Sequence, residues 1–208
     1  PNTEFKTPEC IFAVTKEGFN GISRTFHNLI NNNVVAKRWK NSKRPIVVNS
    51  WEASYFKFNE DSLLKLADLT KKIGADTLVV DDGWFGERDS TQKSLGDWFE
   101  DKRKFPHGME WFAEQIHNKG LKLGLWFEPE MVDPDSDLFR AHPEWAIGRS
   151  DLRRSFGRGQ LVLDMANPEV VDYLISSIDK MIERAKLDYI KWDMNRNITE
   201  AFSNYLDS

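Results

Sequence analysis

A single cysteine, Cys10, rules out an internal disulfide framework and suits a reducing, cytoplasmic compartment. No run of about 18 apolar residues is present to span a bilayer, and Pro1 to Glu9 lack the basic-then-apolar order of a signal peptide. Neither sign of charge dominates. The 29 Lys and Arg are interspersed among 33 Asp and Glu for a net charge of −4, so no basic face awaits a phosphate backbone or an anionic lipid surface. We expect neither a nucleic-acid nor a membrane partner. The four histidines, His27, His107, His117 and His142, share no close metal-ligand spacing, so no metal and no cofactor is expected. A nucleotide-binding glycine fingerprint and a Gly-x-Ser-x-Gly elbow for a serine nucleophile are also missing.

What remains is a folded, globular composition: 208 residues, 40% hydrophobic and 30% charged, with eight Trp. Up to Arg44 short apolar pieces alternate with Gly and Asn turns, which predicts β-structure or an extended arm with a polar loop at Asn31 to Asn33. From Pro45 the rhythm changes to strand, helix, strand. β-rich runs are expected near 46–51, 77–81, 121–127 and 188–193. Between them, one helix carries Leu63, Leu66, Ala67, Thr70 and Ile73 on a stripe, capped by Asn59 and closed by Gly74. A second carries Met109, Phe112, Ala113 and Ile116 and stops at Gly120. A third starts at Asn167-Pro168 with Val171, Leu174, Ile175, Ile178 and Ile182 inward. Glu128 to Ala166 reads as irregular, and Ile198 to Leu206 as the opening of another helix.

Strands alternating with helices at this pitch indicate an α/β fold with a parallel sheet, whose carboxyl ends share one rim. That rim gathers Trp51 and Glu52, Asp81 and Asp82, Glu128 and Glu130, Asp193 and Asn195. In open sheets and closed barrels alike, ligands bind there. Four units are present where a closed (β/α)8 TIM barrel takes eight strands and about 250 residues, so the sequence reads as half a barrel.

Lys191-Trp192-Asp193-Met194-Asn195-Arg196 puts Lys191, Asp193 and Asn195 on one face of the last strand and Trp192 on the other. Lys191 and Arg196 are placed to keep Asp193 ionised, as a nucleophilic carboxylate requires, and the same pattern equally suits a salt-bridged strand end. Asp81-Asp82-Gly83-Trp84 offers hydrogen-bond acceptors and an apolar ring to a sugar, or simply an Asp-capped turn. Glu128 and Glu130 suit a general acid or ion pairs with the Arg-rich loop that follows, and Asp164 a cap or helix contact. Elimination leaves carboxylates and aromatics, the equipment of glycoside chemistry.

Taken together the motifs resemble glycoside hydrolase family 36, the bacterial α-galactosidases. The resemblance runs through Gly21-Ile22-Ser23-Arg24, Arg44 to Ala53, Val80 to Gly86, Leu95-Gly96-Asp97-Trp98, Trp126 to Val132 and Tyr189 to Arg196, in this order and spacing. It implies a retaining mechanism with Asp193 as nucleophile toward an α-linked galactose. It also implies Asp81 and Asp82 as binders of the C4 and C6 hydroxyls, and Trp51, Trp126, Arg158, Lys191 and Asn195 as further pocket residues. It makes residues 1–44 the tail and linker of an N-terminal β-sandwich, and 45–208 the N-terminal half of the catalytic barrel.

The acid/base of the family lies on a later strand, after Ser208. Since retaining carboxyls stand about 5–5.5 Å apart, the fragment alone is expected to be inactive. The substrates implied are α-galactoside oligosaccharides such as melibiose and raffinose, and the full-length parent is expected to be a homo-oligomer. A raffinose-synthase-like galactosyltransferase and a non-catalytic carbohydrate-binding fragment are the alternatives.

Overall fold

The computed structural model describes residues 4–149 and 151–206. They fall into two compact units divided between Arg44 and Pro45.

In the first unit the expected β-structure is replaced by a helix, α1 (Gly18–Leu29), which runs on as a π-turn over Ile30–Val34 and is followed by a 3₁₀ turn at Lys37–Trp39. Among its described residues there is no strand. Ile22, Phe26 and Leu29 recur at helical spacing and are half-buried, and this outweighs the turn signal of Gly18, Asn20 and Gly21. The Asn run, expected as a loop, is the π-turn, where Asn33 Nδ2 donates to the Leu29 carbonyl at 3.1 Å.

The second unit is built on four parallel strands, β1 (Val47–Asn49), β2 (Thr77–Val80), β3 (Lys122–Phe127) and, last in the chain, β6 (Tyr189–Trp192), side by side in that order. Between β3 and β6 an antiparallel ribbon of β4 (Met131–Val132) and β5 (Leu161–Val162) organises part of the stretch expected to be irregular. A one-turn helix, α2 (Trp51–Ser54), follows β1. The first strand therefore stops short of the expected Trp51. The Asn49 side-chain oxygen accepts the Trp51 N–H at 2.8 Å, an Asx-type turn that takes the backbone out of the sheet.

Helix α3 (Glu60–Lys72) begins at a reciprocal cap. Asn59 Oδ1 accepts the Ser62 N–H at 2.9 Å, and Ser62 Oγ accepts the Asn59 N–H at 3.0 Å. Leu63, Ala67 and Thr70 are buried as expected, but Ile73 lies at the helix end and is exposed. Helix α4 (Met109–Asn118) buries its whole expected stripe, Met109, Phe112, Ala113 and Ile116. After the short α5 (Asp137–Ala141), the long α6 (Pro168–Ala185) starts where Asn167 accepts the Glu169 N–H.

The inward stripe of α6 is Val170, Leu174, Ile178, Met181 and Ala185, one step round from that expected. Paired apolar residues at 170–171, 174–175 and 181–182 make two stripes nearly equivalent in sequence. The packed one faces α4, while Ile175 stays exposed. Its outward side, with Val171, Ile182, Met165 and Trp192, lines an open apolar groove of about 360 Å³.

No helix forms over Ile198 to Leu206. Instead, Asn204 Nδ2 donates to the carbonyls of Glu144, Ala146 and Gly148, and Ser203 Oγ donates to Asp164, so side chains tie this segment down as a bend.

Helices α3, α4 and α6 cover one face of the sheet, with α3 on β2 and α4 on β3. The core lies between them, rich in Leu78, Val80, Leu123, Leu125 and Phe127. Where β2, β3 and β6 come together Gly124 is required, since a Cβ there would meet Val79 Cγ2 at 2.9 Å and Tyr189 Cβ at 3.0 Å.

Candidate active site

All four strands being parallel, their carboxyl ends meet on one rim. Register sets what faces what. Val80 pairs with Leu125, and Trp126 with Lys191, so Asp81, Trp126 and Lys191 form one row. Two residues further, Glu128 and Asp193 form the next, and the Asp193 N–H still donates to the Phe127 carbonyl at 2.8 Å. Alternation therefore puts Trp126, Glu128, Lys191 and Asp193 on one side of the sheet, away from the helix-facing Phe127.

Asp193 is half-buried, and three donors converge on its carboxylate. Trp126 Nε1 at 2.9 Å and Asn195 Nδ2 at 2.8 Å both reach Oδ2, while the Met194 N–H reaches Oδ1 at 3.0 Å. Burial pushes this carboxyl up, but the bonds from Asn195, Trp126 and Met194, with the charge of Lys191, outweigh it and hold the group below its ordinary value. The group is an anion at neutral pH, held mainly by neutral donors.

The two cations expected beside it have other partners. Lys191 Nζ donates to Asp81 Oδ2 at 2.7 Å. Arg196 is buried and turned away, donating to the carbonyls of Gln160, Ser155 and Asn197 and so fastening the loop behind the site.

Asp81 is the hub between β1, β2 and β6. Its Oδ2 also accepts from Asn49 Nδ2 at 2.5 Å and its Oδ1 from the Asp82 N–H at 2.9 Å, while its own N–H donates to Ser50 Oγ. Asp82 points into a different set of partners. It is buried and forked by Arg88, whose Nε meets Oδ1 and whose Nη2 meets Oδ2 at 3.0 Å. Burial raises the Asp82 carboxyl, Arg88 and Lys104 oppose the rise, and Asp81 adds to it.

Glu128, in register with Asp193, is buried and meets no arginine among the described residues. It accepts the Asn195 N–H at 2.5 Å and Gln160 Nε2 at 3.3 Å, and burial raises its carboxyl against those bonds. Glu130 accepts from Trp192 Nε1 at 3.0 Å. Asp164 accepts the Ala166 N–H in the turn before α6, whose cap is Asn167.

The tryptophans divide. Trp84 and Trp126 are enclosed with Phe85, Trp98 and Phe127 in an aromatic block, and Trp84 Nε1 donates to the Trp126 carbonyl at 2.8 Å. Neither ring presents an open face, so Trp84 cannot offer the apolar surface to a sugar that its place in the motif suggested. Trp51 is half-buried, edge-on to Tyr55 and Phe56.

Arg158 is exposed and stands apart from this cluster, at the tip of a tight turn in which the Gln160 N–H donates to the Gly157 carbonyl at 2.9 Å. Its φ of 56° and that of Gly159, 80°, are both left-handed, a conformation that costs a non-glycine residue about 1–3 kcal/mol. The same turn carries Gln160 to Glu128.

Sequence reasoning missed Asn49, Ser50 and Arg88 as partners of Asp81 and Asp82, and Asp133 and Lys104 as the groups that hold Arg88. The only signal was that each stands near a strand end or in a loop next to one. Among the described residues no group of three or more His, Cys, Asp or Glu is disposed to hold a metal ion, and no helix is long and apolar enough to cross a membrane.

Comparison with known proteins places this rim in a family. The Melibiase family profile matches residues 4–208. α-Galactosidase AgaA of Geobacillus stearothermophilus is 44% identical over 206 residues, which is 99% of this chain and 28% of that enzyme. The crystal structure of the α-galactosidase of Lactobacillus brevis superposes with a TM-score of 0.87 at 51% identity, over 91% of this chain and 25% of that one. A variant of the GH36 enzyme AgaA, solved in complex with raffinose, gives a TM-score of 0.87 at 45% identity over 90% of this chain and 26% of its own. The chain thus spans about 28% of the length of the curated relatives it matches. With its profile match over nearly every residue, the chain belongs to the melibiase family.

Proposed function

We propose that this chain contributes the nucleophile half of a retaining α-galactosidase centre, acting on terminal α-galactosyl groups of oligosaccharides of the melibiose and raffinose type. The observation that carries it is Asp193. A carboxylate kept ionised by Trp126, Asn195 and the Met194 N–H stands on the ligand rim of a parallel sheet beside the Asp81–Lys191 pair. An anion so placed attacks the anomeric carbon and becomes the covalent galactosyl ester as the glycosidic C–O bond breaks and the aglycone leaves with a proton from the acid/base. Water then hydrolyses the ester, while Asp81 and Asp82 accept from sugar hydroxyls. Trp51, Trp126, Lys191, Asn195 and Arg158 complete the pocket, with Trp126 and Asn195 acting on the nucleophile itself. Arg158, strained and exposed at its turn, stands apart from the rim cluster, and only the family resemblance assigns it to the pocket.

On this reading residues 45–208 are the first four units of a (β/α)8 barrel, and residues 1–44 are the tail and linker of an N-terminal β-sandwich. Two features support the barrel: the outer edges of β1 and β6 are unpaired among the described residues, and α6 turns an apolar groove outward. The acid/base comes from sequence outside the chain, so the isolated chain turns over little or no substrate. Loss of general-acid help alone costs about 10²–10⁴-fold. The parent is a cytoplasmic homo-oligomer that needs no cofactor.

The test uses the full-length parent. Asp193→Ala should abolish turnover, external azide should restore part of it, and an activated fluorinated galactoside should label the peptide containing Asp193. Unchanged activity of Asp193→Ala, or labelling elsewhere, refutes the assignment. Galactose transfer to added sucrose with almost no free galactose would make the parent a galactosyltransferase.

A further inference from the structure

Asp82 does not stand free on the rim. Arg88, 1% exposed, forks both of its carboxylate oxygens, and each oxygen keeps a second lone-pair direction for another donor. Arg88 is in turn fixed from behind. Its Nη1 donates to Asp133 Oδ2 at 2.7 Å and to the Lys93 carbonyl at 2.7 Å, and its guanidinium lies against the rings of Phe56 and Phe85. Asp133 is fully buried, and its Oδ2 also accepts the Leu95 N–H. Lys104 closes the loop, donating to the carbonyls of Gly83 and Arg88 at 2.8 and 2.9 Å.

A planar fork held on three sides leaves the Asp82 carboxylate one orientation. A loop salt bridge needing only strength would not require a buried second acid behind the arginine. We propose that Arg88 is a positioning residue for substrate recognition, fixing the plane and the charge of Asp82, with Asp133 and Lys104 fixing Arg88. This rests on the reading of Asp82 as a sugar-binding residue.

The charged groups facing Asp82 are Arg88, Asp81 and Lys104, with Asp133 behind Arg88 and Lys191 behind Asp81. Arg88 is the cation nearest to it. Without that cation Asp82 stays protonated to higher pH, and affinity that depends on the anion is lost sooner as pH falls.

The experiment measures p-nitrophenyl α-galactoside hydrolysis by the full-length parent and by its Arg88→Lys, Arg88→Met, Asp82→Asn and Arg88→Met/Asp82→Asn variants, with thermal midpoints as a check on folding. Arg88→Met should lower kcat/KM by about 10- to 100-fold and move its acid limb up by about one pH unit, and Arg88→Lys should recover part of both. The double variant should be no worse than the worse single one, since both act on one contact.

If Asp82→Asn is damaging but the two losses multiply, or if Arg88→Met lowers only the thermal midpoint, Arg88 has no role through Asp82 and the proposal falls alone. If Asp82→Asn leaves galactoside kinetics unchanged, the reading of Asp82 falls with it.

Discussion

Removing one donor from Asp193 should change the pH range of activity before it changes anything else. Asn195 is the cleaner target: it is exposed, its side chain donates to Asp193 Oδ2 at 2.8 Å and otherwise bears only on Glu128, and its backbone N–H remains on Glu128 in Asn195→Ala. A hydrogen bond to a charged group contributes about 1.5–3 kcal/mol. Asp193 is only half-buried, so solvent screens it and the lower end applies. At 1.36 kcal/mol per pKa unit that is about one unit.

The sign follows from which form each donor favours. Asn195 and Trp126 stabilise the anion, so losing either raises the carboxyl toward its ordinary value, and the steeper lower part of the acid limb of kcat/KM, below the titration of Asp82, begins about one pH unit higher. Trp126→Phe, which keeps a ring in the aromatic block, should give a similar shift, and the two together about two units. The assay is kcat/KM from about pH 2.5 to 8 in the full-length parent. If both variants lower the neutral plateau while the acid limb stays in place, hydrogen bonding does not set the charge of Asp193.

Glu128 and Glu100 give two further tests. Glu128→Gln should lower stability by less than about 1 kcal/mol, because the Gln160 amide, whose Oε1 is unpartnered, can turn to accept from it. Glu128→Ala orphans the Asn195 N–H and should lose about 1–3 kcal/mol, and equal losses in denaturant unfolding would contradict this. Burial raises the Glu100 carboxyl, but Arg184 and Lys102 overcome it and lower it to about 2, so the stability it contributes is full above its unfolded value of 4.5 and is lost as pH falls toward 2. Allowing for the solvent that reaches Arg184, Arg184→Ala should lose about 1–2 kcal/mol at neutral pH, with a gap in thermal midpoint that narrows below pH 4.5. A gap constant with pH would refute it.

What the chain reveals of itself follows from how local the cause is. Helices α3 and α4 were legible because one apolar stripe and explicit end signals agree, whereas α6 offers two stripes and only its packing against α4 chooses between them. The rim was legible because parallel strands put their carboxyl ends together whatever surrounds them. Pairing on the rim was not. Lys191 meets Asp81 across an intervening strand, a consequence of register between segments 110 residues apart. Arg88 reads as a solvated loop residue, Phe85-Gly86-Glu87-Arg88-Asp89, until Asp133 and two rings close over it. Gly21 was misread for a converse reason. Buried against Thr15 and Glu17, it serves close packing of α1 on the segment that leads into it, not a turn.

The aromatic block ties two tasks to one strand. Trp126 accepts the indole N–H of Trp84 on its carbonyl and gives its own to Asp193, so the ring that shapes the hydrophobic loop also tunes the rim. Drift among Trp84, Phe85 and Trp98 is therefore not neutral even where the loop stays folded, because a repacking that tilts Trp126 alters the acidity of a carboxylate none of them touches. Selection for a new working pH has a handle in that greasy interior, one indole removed from the carboxylate it tunes.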